Sequence, residues 1–279
     1  MLIALLSVLT VLTALGVCGA AGAFASSMWL WLLPVCLLGG FLLYAALAFG
    51  FLLLACAVVD PQKPQEEDSR FYRNLVNWYI EAILTLARIR IHTRGLEKTP
   101  QSGRFLLVCN HIHDTDPAMI MRCFPKSQLA FVAKREVREM FLVGKLLPKL
   151  LCSFINREND REALKTILRC ISLLKEDKVS IGIFPEGYIC PERKLQHFRP
   201  GVFKIAQKAK VPIVVCTLRD TQYVVKNLLK LKPSQVELHL LDVIPPEELE
   251  GVTTVEIADR VYRMMAEDLG PGRVLEENT

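Results

Sequence analysis

The stretch FLLVCNHIHDTDPAMIM, residues 105–121, decides how this chain is read. Its first five residues are continuously apolar, the pattern of a strand buried on both faces of a sheet. Asp116 and Pro117 then open a second apolar run, and an acid followed by proline in the first turn marks a helix start. Residues 110–115 are therefore expected to form a strand-to-helix loop. In α/β sheets, loops at the carboxyl ends of strands are where ligands are held.

Outward from this loop the same alternation continues. Short β-prone runs at residues 88–92, 105–109, 129–132, 153–155, 179–184, 211–217 and 236–243 are separated by helical patterns, the clearest at 160–176, 201–210 and 254–268. That order predicts an α/β catalytic domain, over residues 92–269. Residues 270–279 are expected to be a frayed tail.

The first 59 residues differ in kind, because no Asp, Glu, Lys or Arg occurs before Asp60. Two apolar runs, about 2–25 and 29–59, are separated by Ser26 and Ser27, and each exceeds the roughly 20 residues that cross a bilayer. They predict a membrane anchor of two transmembrane helices, with Pro34 and Gly39-Gly40 as places for a kink. Lys63, Arg70 and Arg73 follow the second run and no base precedes it, so the domain is expected to face the cytoplasm. Residues 60–91 read as a linker leading into an amphipathic helix from Arg70 onward, rich in Trp, Tyr and Leu. Such a helix suits the membrane interface, and equally suits packing on the domain core.

The chain carries 34 Lys and Arg against 29 Asp and Glu, a mild basic excess. It suits a surface near anionic lipid or phosphorylated substrates and is small for a nucleic-acid binder, so no nucleic-acid partner is expected. Nine cysteines without any Cys-x-x-Cys pair suggest neither a disulfide framework nor a zinc ribbon. They are expected to be reduced packing residues, which places the domain in the cytosol.

His111 and Asp116 carry the candidate chemistry. A carboxylate bonded to one imidazole nitrogen fixes the tautomer and leaves the other nitrogen to take a proton from an alcohol. Taken alone, Asp116 is better explained as a helix cap and His111 as an ordinary loop histidine. A metal site is a second rival, because His111-x-His113-Asp114 superficially resembles a metallohydrolase cluster. Its register is wrong, however, and only His197 and His239 remain downstream to complete it.

Three further segments change that balance. With His111, Asp116 and Pro117 they are Phe154-Ile155-Asn156-Arg157, Phe184-Pro185-Glu186-Gly187 and Val211-Pro212-Ile213, in this order. In these four blocks the chain resembles the 1-acylglycerol-3-phosphate (lysophosphatidic acid) acyltransferase family of glycerolipid acyltransferases. The resemblance implies a mixed central sheet flanked by helices. It also implies transfer of a fatty acyl group from acyl-CoA or acyl-carrier protein to the sn-2 hydroxyl of lysophosphatidic acid, giving phosphatidic acid. His111 and Asp116 would be catalytic, and Arg157 would hold a phosphate, with Lys134 as a second, weaker contact. Glu186 would orient Arg157, a substrate hydroxyl or loop amides, and Gly187 would let backbone approach the ligand. Membrane lipids, the lysophospholipid acceptor and the acyl donor are the implied partners, and this chemistry requires no metal or organic cofactor.

Departures from the family pattern are His113, two residues after the catalytic histidine where serine is common, Tyr188-Ile189 in place of Thr-Arg, and Val215 in place of a second proline. They keep another lysophospholipid, glycerol 3-phosphate or a lipid amine or alcohol open as acceptor.

Overall fold

The computed structural model describes residues 1–60, 63–156 and 159–275. Two N-terminal helices, α1 (Leu2–Ala20) and α2 (Trp29–Ala57), form an antiparallel hairpin whose side chains are largely exposed. Both are long and apolar enough to cross a membrane. Gly40 lets them approach closely, since a Cβ there would lie 3.3 Å from Thr10 Cγ2. Pro34 sits in the second turn of α2 without breaking it.

At about 1.5 Å per residue, α2 is roughly 43 Å long, more than the roughly 30 Å of hydrocarbon it would cross. Its last turns pack against the domain. Leu52, Ala55 and Cys56 are buried with Leu75 of α3 (Arg70–Leu86), and Tyr72 Oη donates to the carbonyl of Ala55 at 2.9 Å. Tyr79 Oη donates likewise to Ala48 at 2.6 Å.

The amphipathic segment is thus two-sided. Leu75, Ala82 and Leu84 of α3 are buried, while Phe71, Trp78, Ile83 and Leu86 remain exposed. Arg73 departs from the reading that made it a flanking surface charge. Its guanidinium is buried, bonded to Asp68 at 2.6 and 2.7 Å and to the carbonyls of Leu129 and Leu150. A buried arginine with its hydrogen bonds made acts as a clamp, and of the three bases flanking α2 Lys63 and Arg70 are the exposed ones.

The helix ends at Leu86, and β1 (Ile89–Arg94) forms where the β-prone run at 88–92 was expected. Six more strands follow: β2 (Leu106–Cys109), β3 (Leu129–Lys134), β4 (Ser153–Ile155), β5 (Ser180–Ile183), β6 (Ile213–Arg219) and β7 (Ser234–Ile244). They form one mixed sheet in the order β1-β7-β6-β2-β5-β3-β4. Strands β6, β2, β5, β3 and β4 run parallel, β7 runs antiparallel to β6, and β1 is parallel to β7. Every residue of β2 and β5 is buried, as their unbroken apolar runs require.

The helices flanking the sheet are α4 (Asp116–Cys123), α5 (Val143–Lys149), α6 (Asp160–Lys175), α7 (Lys204–Ala209), α8 (Val224–Leu229) and α9 (Thr254–Leu269). α6 packs on β4 and β5, α9 on β6 and β7, and α3 on α4, α5 and β1. The helical pattern at 201–210 is divided, with a 3₁₀ turn at Pro200–Phe203 leading into α7. The expected frayed tail is partly ordered: Leu195 donates its amide to the Arg273 carbonyl at 2.8 Å and accepts from the Leu275 amide at 3.0 Å. A backbone that finds partners of this kind has no reason to fray. All nine cysteines are free, and burial pushes the thiols of Cys109, Cys123, Cys152, Cys170 and Cys216 upward, as for inert packing residues.

Candidate active site

Strand β2 ends at Cys109 and α4 begins at Asp116, so residues 110–115 form the expected loop at the carboxyl edge of the parallel strands. Asn110 pins its entrance. The buried side chain donates to the Leu218 carbonyl at 2.9 Å and accepts from the Leu218 amide at 2.7 Å, tying the loop to the end of β6.

The loop curls around one carboxylate. Asp116 Oδ2 lies 2.9 Å from His111 Nδ1 and accepts the amides of Ile112 at 2.8 Å and His113 at 2.9 Å, while Oδ1 accepts the hydroxyl of Thr221 at 2.6 Å. Simple helix capping would direct this carboxylate at the first amides of α4. Its bonds go instead to the preceding loop and to a residue beyond β6. With Asp116 fully buried and accepting at both oxygens, His111 Nδ1 carries its proton toward the carboxylate. Nε2 is then the imidazole nitrogen available to a substrate.

The ring is held from a second direction. His111 stacks on Phe184, with centroids 4.0 Å apart and planes inclined by 14°, and Phe184 stacks in turn on Phe131. The His111 side chain keeps 16% of its surface exposed.

Glu186 lies beneath the loop and is buried. Its Oε1 accepts the His111 amide at 2.6 Å and its Oε2 accepts the Gln196 amide at 3.3 Å. Loop amides are one of the three partners expected for Glu186, and the His111 amide is among them. Burial pushes its carboxyl up from 4.5 to about 8; the two amide bonds oppose that shift, and the charge of Asp116 reinforces it.

Gly187 has φ +87°, and a Cβ there would come within 2.7 Å of Arg199 Nε. Within this structure the bare Cα therefore accommodates the Arg199 side chain. The segment after it returns to the His111 loop, where Arg193 Nη1 donates to the Ile112 carbonyl at 2.7 Å.

His111, Asp116, Glu186 and Gly187 are thus brought together. Lys134 ends β3 at the same edge of the sheet; its side chain is 63% exposed and its ammonium pairs with Glu136 at 3.2 Å. Arg157 lies outside the described residues. His113 Nδ1 pairs with Thr115 Oγ1 at 2.9 Å, His197 stacks on Tyr262, and His239 pairs with Asp268. The histidines that a metallohydrolase cluster would need are therefore dispersed. Among the described residues no group of three or more His, Cys, Asp or Glu is placed to hold a metal ion.

Comparison with known proteins gives this geometry a family. The Acyltransferase family model matches residues 90–219, which contain all four sequence blocks. A 1-acyl-sn-glycerol-3-phosphate acyltransferase of Borreliella burgdorferi is 30% identical over 192 residues, covering 67% of this chain and 76% of that protein. The chain belongs to the 1-acyl-sn-glycerol-3-phosphate acyltransferase family.

A probable acyltransferase of the same name from Mycoplasma pneumoniae is 26% identical over 200 residues, covering 67% of this chain and 74% of that one. The crystal structure of the 1-acyl-sn-glycerophosphate acyltransferase of Thermotoga maritima shares the fold. Its TM-score is 0.61 at 21% identity, over 79% of this chain and 86% of that one.

Sequence reading within this acyltransferase fold missed Thr221, Gln196, Arg193 and the stacking role of Phe184. Phe184 stood inside a quoted block, and its aromatic ring next to a histidine-bearing loop was the available signal. Thr221 lies 105 residues from its partner, in no motif, so only the folded chain brings it into view.

Proposed function

We propose that this chain acylates the sn-2 hydroxyl of lysophosphatidic acid at a membrane surface, forming phosphatidic acid with an acyl-CoA or acyl-carrier-protein thioester as donor. The observation that carries the reading is the Nδ1 bond of His111 to a buried Asp116, which leaves Nε2 for the acceptor.

The acceptor hydroxyl gives its proton to His111 Nε2 as its oxygen forms a bond to the thioester carbonyl carbon. Asp116 stabilises the imidazolium that results. The tetrahedral intermediate then expels the thiolate, the C–S bond breaks, and the imidazolium returns the proton to sulfur. Atoms and charge balance without a covalent acyl-enzyme.

Glu186 acts as a positioning residue, holding the His111 backbone from below, and is not assigned a direct substrate contact. Arg157 keeps the phosphate-gripping role that the family pattern implies, since a guanidinium meets a phosphate with two parallel hydrogen bonds. Lys134 is assigned a weaker, longer-range attraction for the same group, because its ammonium is solvated and already paired. The two apolar helices anchor the domain, with Lys63 and Arg70 favouring a cytoplasmic active site.

Purified protein incubated with labelled acyl-CoA and a panel of acceptors tests the reading. Labelled phosphatidic acid from lysophosphatidic acid is the expected main product. A clear preference for an acceptor lacking phosphate would overturn the acceptor assignment and the role given to Arg157.

A further inference from the structure

Beyond the helical hairpin, one surface segment pairs exposed leucines with unopposed positive charge. It is the hook formed by α8 and the turn into β7, residues 224–232, with sequence VVKNLLKLK. Leu229 and Leu231 are 80% and 82% exposed, and Val225 and Leu228 are about half so. Lys226, Lys230 and Lys232 alternate with them, and no Asp or Glu occurs between Thr221 and Val236.

The hook is held in shape. Val224 is buried, and the Asn227 carbonyl accepts the amides of Lys230 at 3.1 Å and Lys232 at 2.8 Å. The Asn227 side chain donates to Ser234 Oγ at 3.1 Å. Leu231 has φ +54°, a left-handed conformation that costs a leucine more than glycine or asparagine. Neither packing nor backbone geometry accounts for a large apolar side chain there.

Its position supplies the reason. Arg88, just past α3, donates to the Leu231 carbonyl at 3.2 Å, so the hook abuts the end of α3 that exposes Ile83 and Leu86. The same helix receives both open ends of the hairpin: Tyr72 and Tyr79 bond to α2, and Glu81 contacts the Met1 nitrogen that begins α1. The apolar surface of α3 therefore runs from the spans to the hook. The hook also follows shortly after Thr221, whose hydroxyl bonds Asp116, and so is tied through that residue to the His111 loop.

We infer that residues 225–232 are a second membrane contact, in which Leu228, Leu229 and Leu231 enter the headgroup region of an anionic bilayer while Lys226, Lys230 and Lys232 bind its phosphates. Interleaved leucine and lysine is the composition such interfaces select, and each lysine near an anionic surface adds favourable attraction. The contact would draw the catalytic loop toward the lipid from which the acceptor comes. The inference rests on the membrane part of the reading above and not on the reaction.

Hydrogen exchange of the full chain in nanodiscs tests it, comparing phosphatidylcholine alone with phosphatidylcholine plus phosphatidylglycerol and no substrate present. Amides of residues 225–232 are expected to exchange more slowly in the anionic discs. Lys230→Gln and Lys232→Gln should each reduce that protection about fivefold. Leu229→Ser with Leu231→Ser should abolish it, with exchange in β2 and β5 unchanged as the control on folding. Equal exchange in the two disc types, or protection that survives these substitutions, overturns the hook whether or not the protein acylates lysophosphatidic acid. A chain that does not enter discs at all overturns the membrane reading and the hook with it.

Discussion

Thr221 and Asp116 are joined by a 2.6 Å hydrogen bond across 105 residues of sequence, from the segment after β6 to the first residue of α4. The hydroxyl occupies the carboxylate oxygen that His111 does not use. Asp116 is therefore held at both oxygens, and the orientation of the imidazole depends on an element far from the histidine loop. The neighbours of Thr221 reinforce this anchoring: Arg219 bonds Asp268 at the end of α9, and Asp220 bonds Arg273 in the ordered part of the tail.

Thr221→Val keeps the volume and removes the donor, leaving one oxygen of a buried carboxylate unpaired, at a cost of about 1–3 kcal/mol. The expected result is a fall in kcat of about tenfold or more with KM little changed. Thr221→Ser should restore most of the loss. Steady-state kinetics of the two variants check this, and equal loss in both would show that packing is what matters at this position.

The raised carboxyl of Glu186 sets a pH dependence whose sign follows directly. Between its ordinary value of 4.5 and about 8 the folded protein retains a proton that the unfolded chain releases. Stability therefore falls as pH rises through that window, and below it this group contributes no slope. Glu186→Gln holds the neutral form permanently, so the variant should lose this part of the decline. Denaturant unfolding of both proteins at several pH values measures it; parallel stability profiles would refute the assignment.

Gly187→Ala places a Cβ at φ +87° and against Arg199 Nε. A left-handed alanine costs about 1–2 kcal/mol, and displacement of Arg199 adds to it. A lowered Tm is expected, along with reduced activity, because Glu186 is the adjacent residue. Thermal unfolding followed by circular dichroism reads the first effect.

Arg73→Leu removes the charged partner of Asp68, leaving it the Gln128 amide at 3.3 Å, and takes a donor from the carbonyls of Leu129 and Leu150. Breaking a buried pair from one side costs about 3–5 kcal/mol. Substituting Asp68 as well, as Asp68→Asn with Arg73→Leu, should cost less than the sum of the single changes, since no uncompensated charge then remains. Unfolding free energies of the three variants decide the point.

The strands were legible because β2, β5 and β6 are continuous apolar runs bounded by polar turns, a pattern that needs no tertiary information. The loop bearing His111 was legible for the same reason: a buried strand and an Asp-Pro helix start leave only six residues between them. The short helices α5 and α8 were not, since six or seven residues, in α5 including Pro148, do not establish a helical period. Arg73 was misread because its sequence position is that of a membrane-flanking base, while its burial depends on Asp68, β3 and the segment after α5 converging on it. Glu186 was recognised but its partner was left open, because the His111 amide is 75 residues away. Periodicity reports the elements, and only the closed sheet reports which of their ends meet.

The most direct test of the account is acyl transfer by purified His111→Ala, measured with labelled acyl-CoA and lysophosphatidic acid alongside a circular dichroism spectrum. A side chain that supplies the base for the attacking hydroxyl predicts a native spectrum with turnover reduced on the order of a hundred- to ten-thousand-fold. Turnover close to wild type in the folded variant would contradict it.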